Sequence, residues 1–256
     1  MLKYEIIENK SKEWIVFVHG IGGSTKTWSK QIEDFSKKYS LLLLDLPGHG
    51  LNSNKIIKKV DTKKLYKGIK DTLDYLNIKS AHFIGLSIGT IVIANFAVQY
   101  PDYVKTIILG GSALKLSGIY KGSIILANLI KYYVPYKFLY QFFAWFMMPK
   151  ENHKKSRLIF LREVVKLHKE TMFAWIEYLQ FALHPENILM KLDSLEKRIL
   201  LISGDEDYCF LHDVKNIAKK MKNSDIKIIT KCGHICSIEN WKSFNEISLE
   251  YLELAK

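Results

Sequence analysis

A serine between two glycines, Gly85-Leu86-Ser87-Ile88-Gly89, sits between two apolar runs. The run before it, Ala81-His82-Phe83-Ile84, reads as a buried strand; the run after it, Ile91 to Ala97, reads as a helix. A serine on a sharp strand-to-helix turn carries its hydroxyl above the sheet, and the flanking glycines let neighbouring backbone pass close by. That hydroxyl is a poor nucleophile until a base takes its proton. Of the eight histidines, His234 stands where a base belongs, in Lys231-Cys232-Gly233-His234 directly after the last strand. His82 lies on the strand leading to Ser87 and is expected to pack. His212 opens a helix and reads as a surface or capping residue. His153, His168 and His184 fall in a helical stretch, and His49, in Leu46-Pro47-Gly48-His49-Gly50, is expected to make a structural hydrogen bond.

The imidazole needs an acceptor that fixes its tautomer and stabilises its cation. The loop after Ile202, Ser203-Gly204-Asp205-Glu206-Asp207, carries three acids at a strand end, whereas the turn after Leu109, Gly110-Gly111-Ser112, carries none. Spacing alone leaves open which acid serves. The remaining need is for donors to an oxyanion. His19-Gly20-Ile21-Gly22-Gly23 follows the strand Ile15 to Val18, so the N–H of Ile21 is placed to converge with that of Ile88, which opens a helix with a favourable dipole. A phosphate-binding loop is excluded, because neither G-x-x-x-x-G-K-[ST] nor G-x-G-x-x-G spacing occurs there.

The elements that must hold these groups follow from hydrophobic patterning. Short apolar runs at Glu13 to Val18, Leu41 to Leu44, Ala81 to Ile84, Thr106 to Leu109, Ile199 to Ile202 and Ile226 to Ile229 read as buried strands, with Leu2 to Ile7 as an edge strand. Helices are expected near 28–38, 61–77, 88–99, 211–222 and 241–255. Alternation of this kind implies an α/β fold with a mostly parallel central sheet flanked by helices. One stretch breaks it: residues 113–190 read as an all-helical cap, with Pro135, Pro149 and Pro185 marking breaks, inserted into a core made of 1–112 and 191–256. Within the cap, Tyr136 to Met148 is apolar almost all round. Such a helix is expected to be buried, to line an apolar pocket, or to dock on a lipid surface.

The formal net charge of +12 raises the question of nucleic acid. It is answered in the negative: only Arg157, Arg162 and Arg198 are arginine, the lysines are dispersed, and no nucleic-acid-binding motif is present. Three cysteines, Cys209, Cys232 and Cys236, imply reduced thiols and a cytoplasmic protein. Cys232 and Cys236 flank His234 without a fourth ligand at zinc spacing, so no metal is expected. Met1 to Trp14 has no signal-peptide pattern, and no apolar run reaches the length of a spanning helix.

Taken together, His19-Gly20, Asp45 to Gly50, Gly85 to Gly89, Gly204 to Asp207, and Gly233-His234 followed by Glu239 resemble the α/β-hydrolase superfamily over most of the chain outside the cap. The resemblance implies the α/β-hydrolase fold, a triad of Ser87, Asp207 and His234, and oxyanion donors at Ile21 and Ile88. It selects Asp207, the last residue of the G-x-x-D pattern, over Asp205. Two departures are visible: Thr90 stands where several members carry a second glycine after the elbow, and Trp241 stands where a proline is common.

The activity implied is serine-dependent hydrolysis of a small-molecule carboxylic ester, with no metal or organic cofactor. The cap aromatics Phe142, Phe143, Trp145, Phe146 and Trp175 suggest a pocket for an apolar acyl or aryl group. Carbon–carbon bond hydrolases and lactonases resemble the same pattern. The enzyme that forms a menaquinone precursor by elimination typically has an arginine just after the elbow, which Thr90-Ile91 does not provide. Lysines and arginines of the cap, Lys154, Lys155 and Arg157 among them, offer a docking face for an acidic acyl-carrier protein. A non-hydrolytic ligand receptor is the reading of a different class.

Overall fold

A computed structural model describes residues 1–131, 133–179 and 186–254. Its centre is a seven-stranded sheet: β1 (Lys3–Ile7), β2 (Trp14–Val18), β3 (Ser40–Asp45), β4 (Ala81–Leu86), β5 (Val104–Gly110), β6 (Arg198–Gly204) and β7 (Ser224–Ile229). The spatial order is β1-β3-β2-β4-β5-β6-β7. Only the edge strand β1 runs antiparallel, with Tyr4 opposite Leu44; every other pairing is parallel.

Continuous apolar strands arise because both faces are covered. Successive side chains point to opposite faces, so Ile15, Phe17, Leu41 and Leu43 join one core while Val16, Val18, Leu42 and Leu44 join the other. On the first face lie α1 (Ser29–Phe35) and α11 (Trp241–Glu253), contributing Phe35, Phe244 and Leu252. On the second lie α2 (Thr62–Tyr75), α3 (Ile88–Gln99) and α9 (Leu211–Lys220). Helix α2 shows how the sequence sets this. Asp61 caps it by accepting from Lys64 N, and Leu65, Ile69 and Leu73 line its inner stripe. Helix α3 is different. It is buried nearly all round because it lies between the sheet and the segments that follow β5.

Among the described residues, five helices run between β5 and β6: α4 (Gly118–Ile130), α5 (Tyr136–Met147), α6 (Lys154–Val164), α7 (Lys169–Tyr178) and α8 (Glu186–Asp193). The break expected at Pro185, and His184, lie outside the described residues. A short α10 (Cys236–Glu239) follows the loop after β7. Apart from β2, which begins at Trp14, each core strand extends one or more residues beyond its apolar run, because ladder pairing continues past the hydrophobic residues. Among the described residues no helix is long and apolar enough to cross a membrane.

The all-round apolar helix is a correction. In α5, Tyr140, Ala144 and Met147 turn inward, while Phe138, Phe142 and Trp145, on an i, i+4, i+7 stripe, are more than half exposed. A helix of 3.6 residues per turn presents only one stripe to a layer beneath it, so composition alone does not bury the other.

Candidate active site

Ser87 occupies the one-residue turn between β4 and α3, with φ 52° and ψ −120°. A non-glycine residue at positive φ is strained, and the surroundings hold it there. Its N–H donates to Gly110 O at 3.0 Å, and its carbonyl accepts from Thr90 N at 2.9 Å and Thr90 Oγ1 at 2.5 Å. Thr90 Oγ1 in turn accepts from Ala113 N at 3.0 Å. The residue that departs from the second-glycine pattern therefore ties the turn to the first residues beyond β5. Gly89 is required by close approach: a Cβ there would lie 2.3 Å from Val18 O.

The turn brings Ser87 Oγ to 2.9 Å from His234 Nε2, and His234 Nδ1 lies 2.9 Å from Asp207 Oδ2. Asp207 and His234 are buried. Asp205, the alternative acid, is turned away and accepts from Cys232 N at 3.2 Å. The imidazole is fixed from several sides. Phe210 stacks on it with centroids 4.9 Å apart. Glu239 accepts from Gly233 N at 2.6 Å and Ile235 N at 3.3 Å, clamping the backbone on both sides of His234. Gly111, at φ 50°, passes behind the ring, where a Cβ would stand 2.3 Å from His234 O. Phe210 was not legible as a ring partner, because nothing in its spacing marks it.

The loop after β2 lies against Ser87: a Cβ on Gly20 would be 3.8 Å from Ser87 Oγ. Two buried histidines shape this loop. His19 Nδ1 lies 2.7 Å from Gly20 O and its Nε2 accepts from Leu46 N at 3.1 Å. His49 Nε2 accepts from Gly22 N at 3.1 Å, with Nδ1 3.2 Å from Pro47 O. An imidazole accepting at Nε2 is neutral with its proton on Nδ1. Burial agrees, holding His19 below its ordinary value and His49 well below it. The expected structural bond of His49 is thus one that positions the loop, and His19 shares that task. Gly22 N–H and Gly23 N–H are occupied by His49 and Gly20 O, whereas Ile21 N–H has no protein acceptor among the described residues. Ile88 N–H, first in α3, is likewise unoccupied, as the first turn of a helix leaves it.

An apolar cavity of about 50 Å³, open to solvent, begins at Ser87 and His234. Its walls come from the Gly20 to Gly23 loop, the end of α5 and the residue after it (Met147 and Met148), Ile159 and Phe160 of α6, and Ile235 and Ile238. The aromatic residues expected to line it do not. Phe142, Phe143 and Phe146 border a separate crevice between α4, α5 and α7. Trp145 lies under the Arg157 guanidinium, 3.6 Å from its centroid. Trp175 is fully buried, donates to Pro47 O at 3.0 Å and meets His49 edge-on. The stripe of α5 that faces the core reaches the cavity only at the C-terminal end of the helix, so methionines line it where aromatics were expected.

Three further histidines are engaged by other side chains. His82 is buried 3.3 Å from Glu13 Oε2, and His212 is bonded to Asn216. His153 is fully buried, 2.9 Å from Glu206 Oε2. Burial raises all three thiols, Cys209 to about 12 and Cys232 and Cys236 further, which leaves them protonated and inert. Among the described residues no three His, Cys, Asp or Glu side chains are grouped to hold a metal ion. The basic cluster expected to dock a carrier protein is largely occupied. Arg157 is buried and donates to Met148 O and Lys150 O, Lys154 pairs with Glu151, and Lys150 pairs with Glu206.

Residues 13–128 match a family model described as the alpha/beta hydrolase fold. A hydrolase of (E)-2-((N-methylformamido)methylene)succinate from Acinetobacter baylyi is 31% identical over 114 residues, 44% of this chain and 41% of its own length. A 2-hydroxy-6-oxononadienedioate/2-hydroxy-6-oxononatrienedioate hydrolase from Burkholderia vietnamiensis is 25% identical over 262 residues, covering 94% of this chain and 87% of the relative. Among solved structures, one from a study of carboxylesterases of the thaumarchaeon Nitrososphaera gargenis superposes with a TM-score of 0.82 at 20% identity, over 99% of this chain and 94% of the other.

Proposed function

We propose, from the match of residues 13–128 to the alpha/beta hydrolase fold family and the geometry above, that the chain hydrolyses carboxylic esters with an apolar acyl or aryl group through a Ser87 acyl-enzyme. The observation that carries this reading is the continuous relay from Ser87 Oγ through His234 to Asp207, with 2.9 Å at each step, opening on an apolar cavity. His234 donates from Nδ1 to Asp207, which leaves the Nε2 lone pair for the Ser87 proton. Oγ attacks the acyl carbon and the proton passes to Nε2. The oxyanion forms against the amides of Ile21 and Ile88. The imidazolium then protonates the departing alkoxide, and the acyl group remains on Oγ. Water, deprotonated by the same nitrogen, releases the acid and restores the serine.

The cavity's charge narrows the substrate. Among the described residues no lysine or arginine lines it; its ionisable residues there are His234 and Glu163. The Burkholderia relative acts on a dienedioate, a substrate with two carboxylates. A carboxylate held next to Ser87 would stand among methionine, isoleucine and phenylalanine without a cation, which costs several kcal/mol. That argument favours an uncharged group at the Ser87 end of the substrate. The test is hydrolysis of p-nitrophenyl esters from acetate to palmitate, with Ser87→Ala alongside. Serine-dependent turnover that peaks at one chain length is expected. Full turnover in Ser87→Ala, or none at any length by folded protein, refutes the reading.

A further inference from the structure

A second crevice adjoins the Ser87 cavity, and Thr27, Ile159, Glu163 and Ile238 wall both. The chemistry changes from one to the other. The outer crevice adds Lys26, Lys30 and Lys155, together with the hydroxyl residues Ser24 and Ser29. All three lysines are exposed, and among the described residues none makes an ion pair, in contrast to Lys37, Lys67, Lys70, Lys105 and Lys150. Lys30 Nζ is held over the Trp241 ring, 5.8 Å from its centroid. Glu163 is the carboxylate on the shared wall, and its charge is met by Lys166 at 2.6 Å. Three uncompensated ammonium groups around one opening repel each other and attract an anion, and low-dielectric walls concentrate the field there.

We propose that this lysine-lined mouth binds an anionic group, phosphate or carboxylate, at the far end of an ester whose uncharged apolar part lies beside Ser87. The proposal rests on the ester-hydrolase reading and adds the substrate's second end: an amphiphilic ester. The apolar inner cavity and the cationic rim each recognise one half of such a molecule. Lys155 thereby finds a role with Lys26 and Lys30 of the core, and not with Lys154 and Arg157, which other groups occupy.

The experiment measures binding to the Ser87→Ala protein, so that it does not depend on turnover. Three ether probes of equal chain are titrated: 1-O-octylglycerol, 1-O-octylglycerol 3-phosphate and 3-(octyloxy)propanoate. The anionic probes should bind about tenfold tighter than the neutral one at low salt, with the advantage shrinking as ionic strength rises. Whichever anion gains more identifies the headgroup. Lys26→Glu/Lys30→Glu/Lys155→Glu should abolish the preference and leave the neutral probe's Kd unchanged, and Glu163→Gln should enlarge it. Equal affinity for neutral and anionic probes, or a preference that survives the triple reversal, overturns the proposal. Absence of ester turnover by the wild-type chain would instead sink the reaction reading, and the probe preference would still decide the mouth.

Discussion

Replacing Asp207 by Asn tests the relay at the point where two carboxylates competed. Asp207 is fully buried and accepts from His234 Nδ1 at 2.9 Å, while its Oδ1 has no protein partner. In the proposed reaction, attack by Ser87 makes His234 a cation beside this carboxylate. With charge centres about 4 Å apart and an effective dielectric near 20, the pair is worth about 4 kcal/mol, or about 10³ in rate. Asn removes that charge, and an amide NH₂ turned to the ring forces the proton onto Nε2, where it can no longer accept from Ser87. The template for Ser-His-Asp catalysis loses about 10⁴ in this way. We therefore expect Asp207→Asn to lower kcat for a p-nitrophenyl ester by 10³ to 10⁴ with little change in KM. Stability should move little, since the isosteric amide leaves no new void. Asp205→Asn is the internal control. Its Oδ1 still accepts from Cys232 N, so kcat should stay within about twofold. Stopped-flow release of p-nitrophenolate with thermal unfolding of each variant decides it. An Asp207→Asn loss under tenfold, or an Asp205→Asn loss of the same size, refutes the relay.

Further expectations follow from the site's supports. His49→Ala leaves the buried Gly22 N–H without its acceptor. It should cost about 1–3 kcal/mol in urea unfolding and lower kcat more than it raises KM, because the oxyanion loop loosens; an unchanged urea midpoint would contradict this. His19 and His49 are held below the ordinary value of 6.5, so the unfolded chain takes up protons first. Their stabilisation is complete above about pH 6.5 and falls as pH drops below it, and a Tm that is flat from pH 8 to 5 counts against neutral imidazoles. Glu206 is held at about 2 by hydrogen bonds from Asn152 and Lys150, with His153 contributing. Its stabilisation is present above the ordinary value of 4.5 and is lost toward pH 2, so Glu206→Gln should flatten the acid side of the Tm profile. Gly89→Ala would drive a Cβ to 2.3 Å from Val18 O, in backbone that cannot yield. A loss of about 3 kcal/mol or more is expected in chemical unfolding, and wild-type stability would show that the turn is softer than its geometry implies.

The parallel sheet was legible because strands buried on both faces must be apolar throughout, and Ile15 to Val18 and Leu41 to Leu44 have no other use for four consecutive apolar residues. Ser87 and His234 were legible because the turn and the loop that carry them need glycine neighbours, which leave a local signature. The α5 aromatics misled for the converse reason. Hydrophobicity states that a side chain tends to leave water, not which cavity it enters, and Phe142 and Trp145 stay more than half exposed. The roles of His19 and His49 as loop acceptors, the ring contact of Phe210, the inward turn of Arg157 and the meeting of Lys26, Lys30 and Lys155 at one opening join residues far apart in the chain. Local pattern encodes what a residue needs from its neighbours in sequence: strand, turn, helix and the chemistry of one motif. Which distant groups meet, and so which carboxylate serves the base and what the cavity admits, is fixed only when the chain packs, because those contacts carry no period and no spacing.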